Sequence, residues 1–309
     1  MENMFIKQLG EGHKVQRLYI HWDITTVCEY KCSYCYATEQ YKDSWMRPGN
    51  WTKQLEVIEE LSKAKLPIFL GLLGGEPTSH HRYHKLIKLI EEKVLTHKDS
   101  RLYITTNGAK QNFFKDCQKS NSKMYALFSY HVEYADDESD KTFLKNILIM
   151  QNKGYRIKVN VMLHPKKEYW KRIQQMIMML SRYDNIEVHP HYIYIDQHKN
   201  VHYSKEFYKE FEYLKERDYK EFIFIDKDRK EFYKTDTEIF ESKINMFKDW
   251  KCWNNNYEIG LDCRVGQLCF DIEKHPIKNY FQNIVNIEPK RCPFNYCSCD
   301  GLLKIKKEK

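Results

Sequence analysis

The sequence predicts an α/β protein built on a parallel sheet, with a small cysteine-rich β-hairpin and helix extension at its C-terminus. Two observations carry this. Strand-like and helical stretches alternate six times between residues 18 and 195, the rhythm of βα units whose active groups gather at the strand C-termini. The cysteines concentrate at 28, 32 and 35 and again at 252, 263, 269, 292, 297 and 299, with Cys117 alone between them.

The elements follow in order. Leu18–Ile24 alternates and is β-rich, and Thr25-Thr26 opens a loop. Residues 52–64 carry Leu55, Ile58 and Leu61 at a helical period, and Leu66–Leu73 is a short apolar strand ending at Gly74-Gly75-Glu76-Pro77. A helix over 80–96 leads to the strand 102–106 and to Asn107-Gly108. A helix near 109–119, the strand 124–130, a helix near 138–153 and the strand 155–162 come next. Helix 167–182 and the strand 186–195 complete the series, and the rhythm stops near 197. Beyond it, Phe207, Phe211 and Leu214 mark an amphipathic helix over 203–217, followed by a strand at 221–226 and a helix over 236–248. Residues 257–263 read as a strand between cysteines.

Composition removes several classes. The 309 residues carry a formal charge of +8, and 42% hydrophobic with 15% aromatic content excludes wholesale disorder. Only 11 Gly and 8 Pro exclude collagen-like and low-complexity chains. There is no run of 18 apolar residues and the mean hydropathy is −0.74, so no membrane-spanning helix is expected. The start, Met1-Glu2-Asn3-Met4-Phe5-Ile6-Lys7, lacks the pattern of a secretory signal. A cytoplasmic protein is the expectation, and clustered thiols in a reducing compartment point to metal rather than disulfides.

Cys28, Cys32 and Cys35 form a C-x3-C-x2-C run. The same spacing would place three buried cysteines on one helix face, and with His21 it would make a four-ligand zinc site. The preceding strand favours a loop. An iron–sulfur cubane takes four thiolates, so three leave one iron open to a substrate or cofactor.

On these residues the chain resembles the radical S-adenosylmethionine (SAM) superfamily, whose C-x3-C-x2-C loop follows the first strand of a partial (β/α)6 TIM-like barrel. Tyr34 fills the aromatic place before the third cysteine. The resemblance implies a [4Fe–4S] cluster on Cys28, Cys32 and Cys35 that chelates SAM. One electron from a donor such as flavodoxin or ferredoxin then splits the sulfonium, and the resulting 5′-deoxyadenosyl radical takes hydrogen from a substrate carbon. Gly74, Gly75, Glu76 and Pro77 resemble the element that holds the SAM amino group, with the Glu76 carboxylate as acceptor; an ordinary Gly-Pro turn is the other reading. Thr106, Asn107, Ser129, His131 and Asn160 stand at strand ends as candidates for SAM contacts, and Tyr130, His131 and Glu133 as candidates to touch substrate.

The tail resembles the twitch or SPASM extensions of that superfamily, which hold an auxiliary cluster. By that match Cys252, Cys269, Cys297 and Cys299 are its ligands, with Cys292 the substitute; structural zinc is the other reading. Cys263 is left as a hydrogen-atom donor or as a small buried hydrophobe, and the latter is the reading for Cys117. The implied organisation is a core over 1–200, a connecting helical segment over 201–250 and an auxiliary-cluster domain over 251–309. Such tails accompany modification of ribosomally made peptides, with sugars, nucleotides or cofactor precursors as alternatives. No N-terminal peptide-clamping domain is expected, since the first strand begins by about residue 17. The lysine-rich tail Lys304–Lys309 permits nucleic acid but reads as a solvated terminus. A zinc-containing nucleic-acid protein and a non-catalytic iron–sulfur carrier are the competing classes.

Overall fold

The computed structural model describes residues 5–9, 16–35, 46–120, 123–193, 203–217, 222–234, 239, 242–271, 273–297 and 305–309. The first half contains β1 (Phe5–Leu9), β2 (Leu18–Thr25), α1 (Trp51–Leu61), β3 (Ile68–Gly74), α2 (Tyr83–Lys93), β4 (Arg101–Thr106), β5 (Met124–Tyr130), α3 (Asp137–Asn152), β6 (Arg156–Leu163), α4 (Trp170–Leu180) and β7 (Ile186–Tyr192). The second half contains α5 (Lys205–Glu210), β8 (Phe222–Asp226), β9 (Glu231–Lys234), β10 (Lys251–Cys252), β11 (Asn256–Ile259), β12 (Arg264–Gln267), β13 (His275–Pro276), β14 (Lys290–Arg291) and β15 (Lys307–Glu308).

Strands β2 to β7 lie side by side in chain order and all parallel, which is the expected six-step partial barrel. Parallel strands covered on both faces read as unbroken apolar runs; β3 is such a run, whereas β4, β5 and β6 alternate. In β5, Met124, Ala126, Phe128 and Tyr130 are buried while Tyr125, Leu127 and Ser129 are half-buried. The buried set belongs to one core with Phe143, Ile147 and Met150 of α3, each such side chain contributing about 1.5–3 kcal/mol on burial. Asp136 starts α3 by accepting from the Glu138 and Ser139 amides, a cap that contributes about 1 kcal/mol. The other face forms the barrel interior. Its lower part is an aromatic floor in which Phe69 lies 5.4 Å from Tyr19, 5.2 Å from Tyr103 and 6.1 Å from Tyr125 between ring centroids. Gly71 is required under it, because a Cβ there would sit 2.0 Å from the Tyr103 ring.

The tail joins this sheet. β11 pairs parallel with β2, Tyr257 opposite Ile20, and β12 and β13 continue the sheet outward. A second, antiparallel sheet runs β14-β10-β15-β1-β8-β9 and so contains strands from near both ends of the chain. The first strand is therefore Phe5–Leu9, not one beginning near residue 17.

Other expectations are corrected locally. Between β4 and β5 the expected helix over 109–119 is only a 3-10 turn, Phe113–Asp116, because Asn112 sits at φ 64°, outside the right-handed helical region. The helix expected over 167–182 opens as a 3-10 turn at Lys167–Tyr169, and that over 203–217 passes into one at Glu212–Arg217. Residues 242–248 are not helical, with a turn at 242–243 and Lys243 at φ 54°, so the described part of 236–248 is not a continuous helix. The strand expected over 257–263 ends at Ile259, where the Cys263 amide donates to Gly260 O and closes a turn. The last core strand is described to Tyr192, and residues 194–195 lie outside the described residues. Among the described residues no helix is long and apolar enough to cross a membrane.

Candidate active site

The three N-terminal cysteines lie on the loop after β2, which is not helical, so the reading as one helix face falls. Its base is tied on two sides. The Thr26 and Arg47 amides donate to Arg47 O and to Thr26 Oγ1, and the Gly75 and Glu76 amides donate to Thr25 O and Val27 O. A Cβ on Gly75 would stand 2.5 Å from Val27 O, which is why glycine is needed there. The far side of the loop is held by the segment following β5. Glu133 Oε2 accepts from the Ser33 amide at 2.9 Å, and the Tyr134 hydroxyl accepts from the Lys31 amide. Tyr30 stacks on Tyr134 with centroids 4.2 Å apart, and the Tyr34 hydroxyl bonds His131 Nδ1 at 2.8 Å. His164, after β6, stands 3.4 Å from Glu133 Oε1.

Burial pushes the Cys28 and Cys32 thiols up to about 12, assisted at Cys32 by the neighbouring Cys35 and Glu133. A bound cationic centre acts against that burial and favours the thiolates. His21 does not complete a zinc site with them. It lies within β2, opposite Glu258 and 6.1 Å from Tyr103, and burial lowers its pKa. Among the described residues, no three His, Cys, Asp or Glu side chains form a group for a single metal ion.

Glu76 is fully buried and its carboxylate is occupied. Oε1 accepts from the Thr78 amide and hydroxyl and from the Thr106 hydroxyl, at 3.0, 2.6 and 2.8 Å, and Oε2 accepts from the Asn107 amide at 2.6 Å. Burial pushes its pKa up and these donors pull it down. The carboxylate and Thr106 thus knit the end of β3 to the end of β4. Pro77 opens the 3-10 turn that presents Thr78 to it.

Other strand-end groups are unsatisfied. Thr105 Oγ1, Asn107 Nδ2 and Asn160 Oδ1 are buried without a hydrogen-bond partner, a state that costs about 1–3 kcal/mol for each group unless a ligand supplies one. Asn160 stands in register between Ser129 and His189, all on the half-buried interior face. Sequence reasoning took Thr105 only as part of the strand-end run 105–108 and chose Thr106 as the contact. Counting by twos from Tyr103 in the floor would have found Thr105.

The candidates to touch substrate are placed otherwise. Tyr130 points into the helix layer, 5.4 Å from Phe143, and donates to Asp140 Oδ1 at 2.8 Å. It is buried there and not at the barrel mouth. His131 and Glu133 grip the cysteine loop as described. Burial lowers the His131 pKa to about 4, so its ring is neutral near pH 7 where it bonds the Tyr34 hydroxyl. Cys263 packs in the barrel core at the β11–β12 turn, beside the Lys53 and Glu56 charges of α1. Burial pushes its thiol up to about 12. Cys117 is likewise buried in that core.

In the tail, Cys252, Cys292 and Cys297 share one buried cluster with Phe247 and Trp250. Burial pushes the Cys252 thiol up to about 11, with Cys297 and Cys292 adding to the effect. Cys269 adjoins Phe270, which packs against the same cluster, and Cys299 lies outside the described residues. Cys292 therefore stands with the group rather than outside it.

The structure thus places three cysteines on the loop after β2 and unsatisfied polar atoms at the ends of β4 and β6. The Radical SAM superfamily profile matches residues 22–180, just over half of the chain, and the protein belongs to that superfamily. It is accordingly a radical SAM enzyme, with a [4Fe–4S] cluster and SAM as cofactors. It is 33% identical over 103 residues to an S-adenosylmethionine-dependent nucleotide dehydratase of Fibrobacter sp. (strain UWH6), covering 31% of this chain and 28% of that protein. It is 29% identical over 117 residues to a GTP 3′,8-cyclase of Haemophilus influenzae (strain PittEE), covering 35% and 33%. The chain thus matches about a third of the length of these curated relatives. Its fold is similar to that of anSMEcpe solved with AdoMet and a Cp18Cys peptide, with a TM-score of 0.55, 11% identity, and coverage of 87% of this chain and 80% of that one. Streptococcus suis SuiB bound to S-adenosylmethionine gives a TM-score of 0.55 at 14% identity, over 88% of this chain and 64% of SuiB.

Proposed function

We propose that Cys28, Cys32 and Cys35 hold the [4Fe–4S] cluster with one corner left to SAM, and that the enzyme removes a hydrogen atom from a carbon of a peptide bound at the barrel mouth. When bound and reduced by a donor of the flavodoxin or ferredoxin type, the cofactors supply a 5′-deoxyadenosyl radical. The chain's own groups orient them. Thr105 Oγ1 and the Asn107 side-chain Nδ2 present donors, and Asn160 Oδ1 presents an acceptor, a set that suits a ligand carrying both carboxylate and ammonium ends. Gly74, Gly75 and Ser129 complete that wall, and Glu76 with Thr106 holds it rigid. His131, Glu133 and Tyr134 position the cysteine loop.

In the tail, we assign Cys252, Cys292 and Cys297 to an auxiliary cluster, the fourth ligand coming from Cys269 or Cys299. The observation that carries the peptide reading is the fold likeness to anSMEcpe, a protein solved with a peptide, over 87% of this chain. The second reading is a nucleotide substrate, supported by 33% identity to the nucleotide dehydratase over 103 residues.

The test is anaerobic reconstitution followed by 5′-deoxyadenosine measurement with carbon-deuterated peptides and, separately, nucleoside triphosphates. Deuterium carried from a peptide into deoxyadenosine is expected. Stimulation and transfer from nucleotides alone would replace the peptide reading with the second.

A further inference from the structure

The chain lays a thin ribbon over the tail cysteines. Residues 243–251 and 291–297 are tied side by side. The Cys292 amide donates to Trp250 O at 2.8 Å, the Asp249 amide to Cys292 O at 2.9 Å and the Cys297 amide to Asn245 O at 2.8 Å. The Asn245 side chain donates back to Cys297 O at 2.7 Å. On the inner side, Phe247, Trp250, Cys252, Cys292 and Cys297 share one buried apolar cluster. The outer side is different. Phe294 and Tyr296 stand 52% and 50% exposed between Cys292 and Cys297, and Phe294 O accepts from the Cys292 thiol at 3.7 Å. Around them Lys243, Lys248, Lys251 and Arg291 are exposed, against one carboxylate in these two segments, that of Asp249. Glu308, in register beside Lys251, is already paired with Lys7 and Lys306 at 2.9 and 3.1 Å. Exposed aromatic rings ringed by cations have the composition of an interface centre with a charged rim.

We infer that the outer side of this ribbon is the docking surface of the electron donor, an acidic one-electron carrier protein, and that its electron enters at the tail centre. The inference rests on the auxiliary-cluster reading above. Phe294 follows Cys292 by two positions and Tyr296 adjoins Cys297, so a carrier seated on these rings sets its prosthetic group against a wall one residue deep. The carrier is oxidised by one electron and the centre is reduced by one, with no bond or proton exchanged. Cations on the ribbon attract carboxylates around the carrier's prosthetic group and hasten the encounter. A redox encounter needs only a small contact, unlike a permanent complex. Single-stranded nucleic acid would also meet cations and rings, but it gives no purpose to the ribbon's place over the cysteines.

The experiment uses the reconstituted full chain with an acidic flavodoxin as the probe. Calorimetry measures binding of the oxidised flavodoxin at low and high salt. Stopped flow measures transfer from the reduced flavodoxin into a chain carrying Cys28→Ala, Cys32→Ala and Cys35→Ala, in which only the tail can hold iron. Dithionite serves as a small reductant that needs no docking, and circular dichroism and iron counts check every variant. Lys248→Glu with Lys251→Glu is expected to weaken binding and slow transfer by about tenfold or more, with the dithionite rate unchanged. Phe294→Ser with Tyr296→Ser should weaken binding several-fold while keeping the parent's salt dependence. Lys141→Glu with Lys145→Glu, exposed on α3 of the core, changes the net charge equally and should leave binding as it was. Equal weakening by this α3 pair would overturn the inference, as would parent affinity in both ribbon variants. A short single-stranded DNA that binds more tightly than flavodoxin, and is lost in the ribbon variants, would overturn it in favour of nucleic acid. Absence of iron from the chain without the loop cysteines would overturn the auxiliary-cluster reading and the entry of the electron there; flavodoxin binding lost in the ribbon variants alone would still uphold the docking surface.

Discussion

At Glu76, one carboxylate meets donors from Thr78, Thr106 and Asn107 in a site closed to water. Glu76→Gln keeps the volume and one oxygen but turns an NH2 group toward the Asn107 amide, leaving donor against donor. We expect a loss of about 1–3 kcal/mol of stability for that unsatisfied contact, read from urea unfolding of the cluster-free chain, together with weaker SAM binding. Direct pairing with the SAM ammonium predicts a different result, namely unchanged stability with SAM affinity abolished. Sequence reasoning could place Glu76 at a strand end but could not see its role, because Thr106 and Asn107 lie in the next βα unit. Thr105 was within reach: its alternation with Tyr103 was legible, and only the polar motif around Thr106 drew attention away from it.

On the scale of elements, the cysteine loop has no regular structure of its own and takes its shape from the segment His131–Tyr134 after β5. Two loop amides, at Lys31 and Ser33, are satisfied by side chains of that segment, and two loop tyrosines rest on it. Glu133→Ala removes the acceptor of the Ser33 amide and the neighbour of His164 in one step. The reconstituted variant should lose iron from the first site several-fold faster on dialysis against a chelator, while a Tyr34→Phe variant, which loses one hydrogen bond of about 1 kcal/mol, should be affected less. Equal iron retention by Glu133→Ala and the parent would remove the segment's role in holding the loop. The cysteines and the strand before them were legible because spacing and alternation are local. The grip was not, since Ser33 and Glu133 meet only once β2 and β5 are set by the sheet. Asn112 illustrates the same limit in the opposite direction: residues around it have helical composition, and a single left-handed backbone angle ends the helix before it starts.

For the molecule as a whole, the six-step core was legible because each βα unit is long enough to show its period, whereas the second sheet is made of strands two to five residues long drawn from near both ends of the chain. Such strands carry too few residues for a period, and their pairing is set by tertiary contact. β1 is central to that sheet. It pairs with β8 and β15, and Phe5 lies 5.0 Å from Phe224 and 5.4 Å from Phe232. The core sheet meets the tail elsewhere, through β11 on β2. Removing residues 1–9 should therefore leave β8 and β15 without their shared partner and expose the apolar cluster around Phe222 and Phe224. Hydrogen exchange should show amides of β8 and β15 losing most of their protection, with those of β3 to β6 unchanged, because stability is distributed in cooperative units. Iron should fall at the tail site before it falls at the loop of Cys28, Cys32 and Cys35, for the deletion strips β15 of one neighbour while β15 is itself the neighbour of Cys252, and it spares the base of the loop. Simultaneous loss of protection in β3 to β6 would mean that the two sheets open as one unit, and the strand from the N-terminus would then belong to the stability of the whole enzyme.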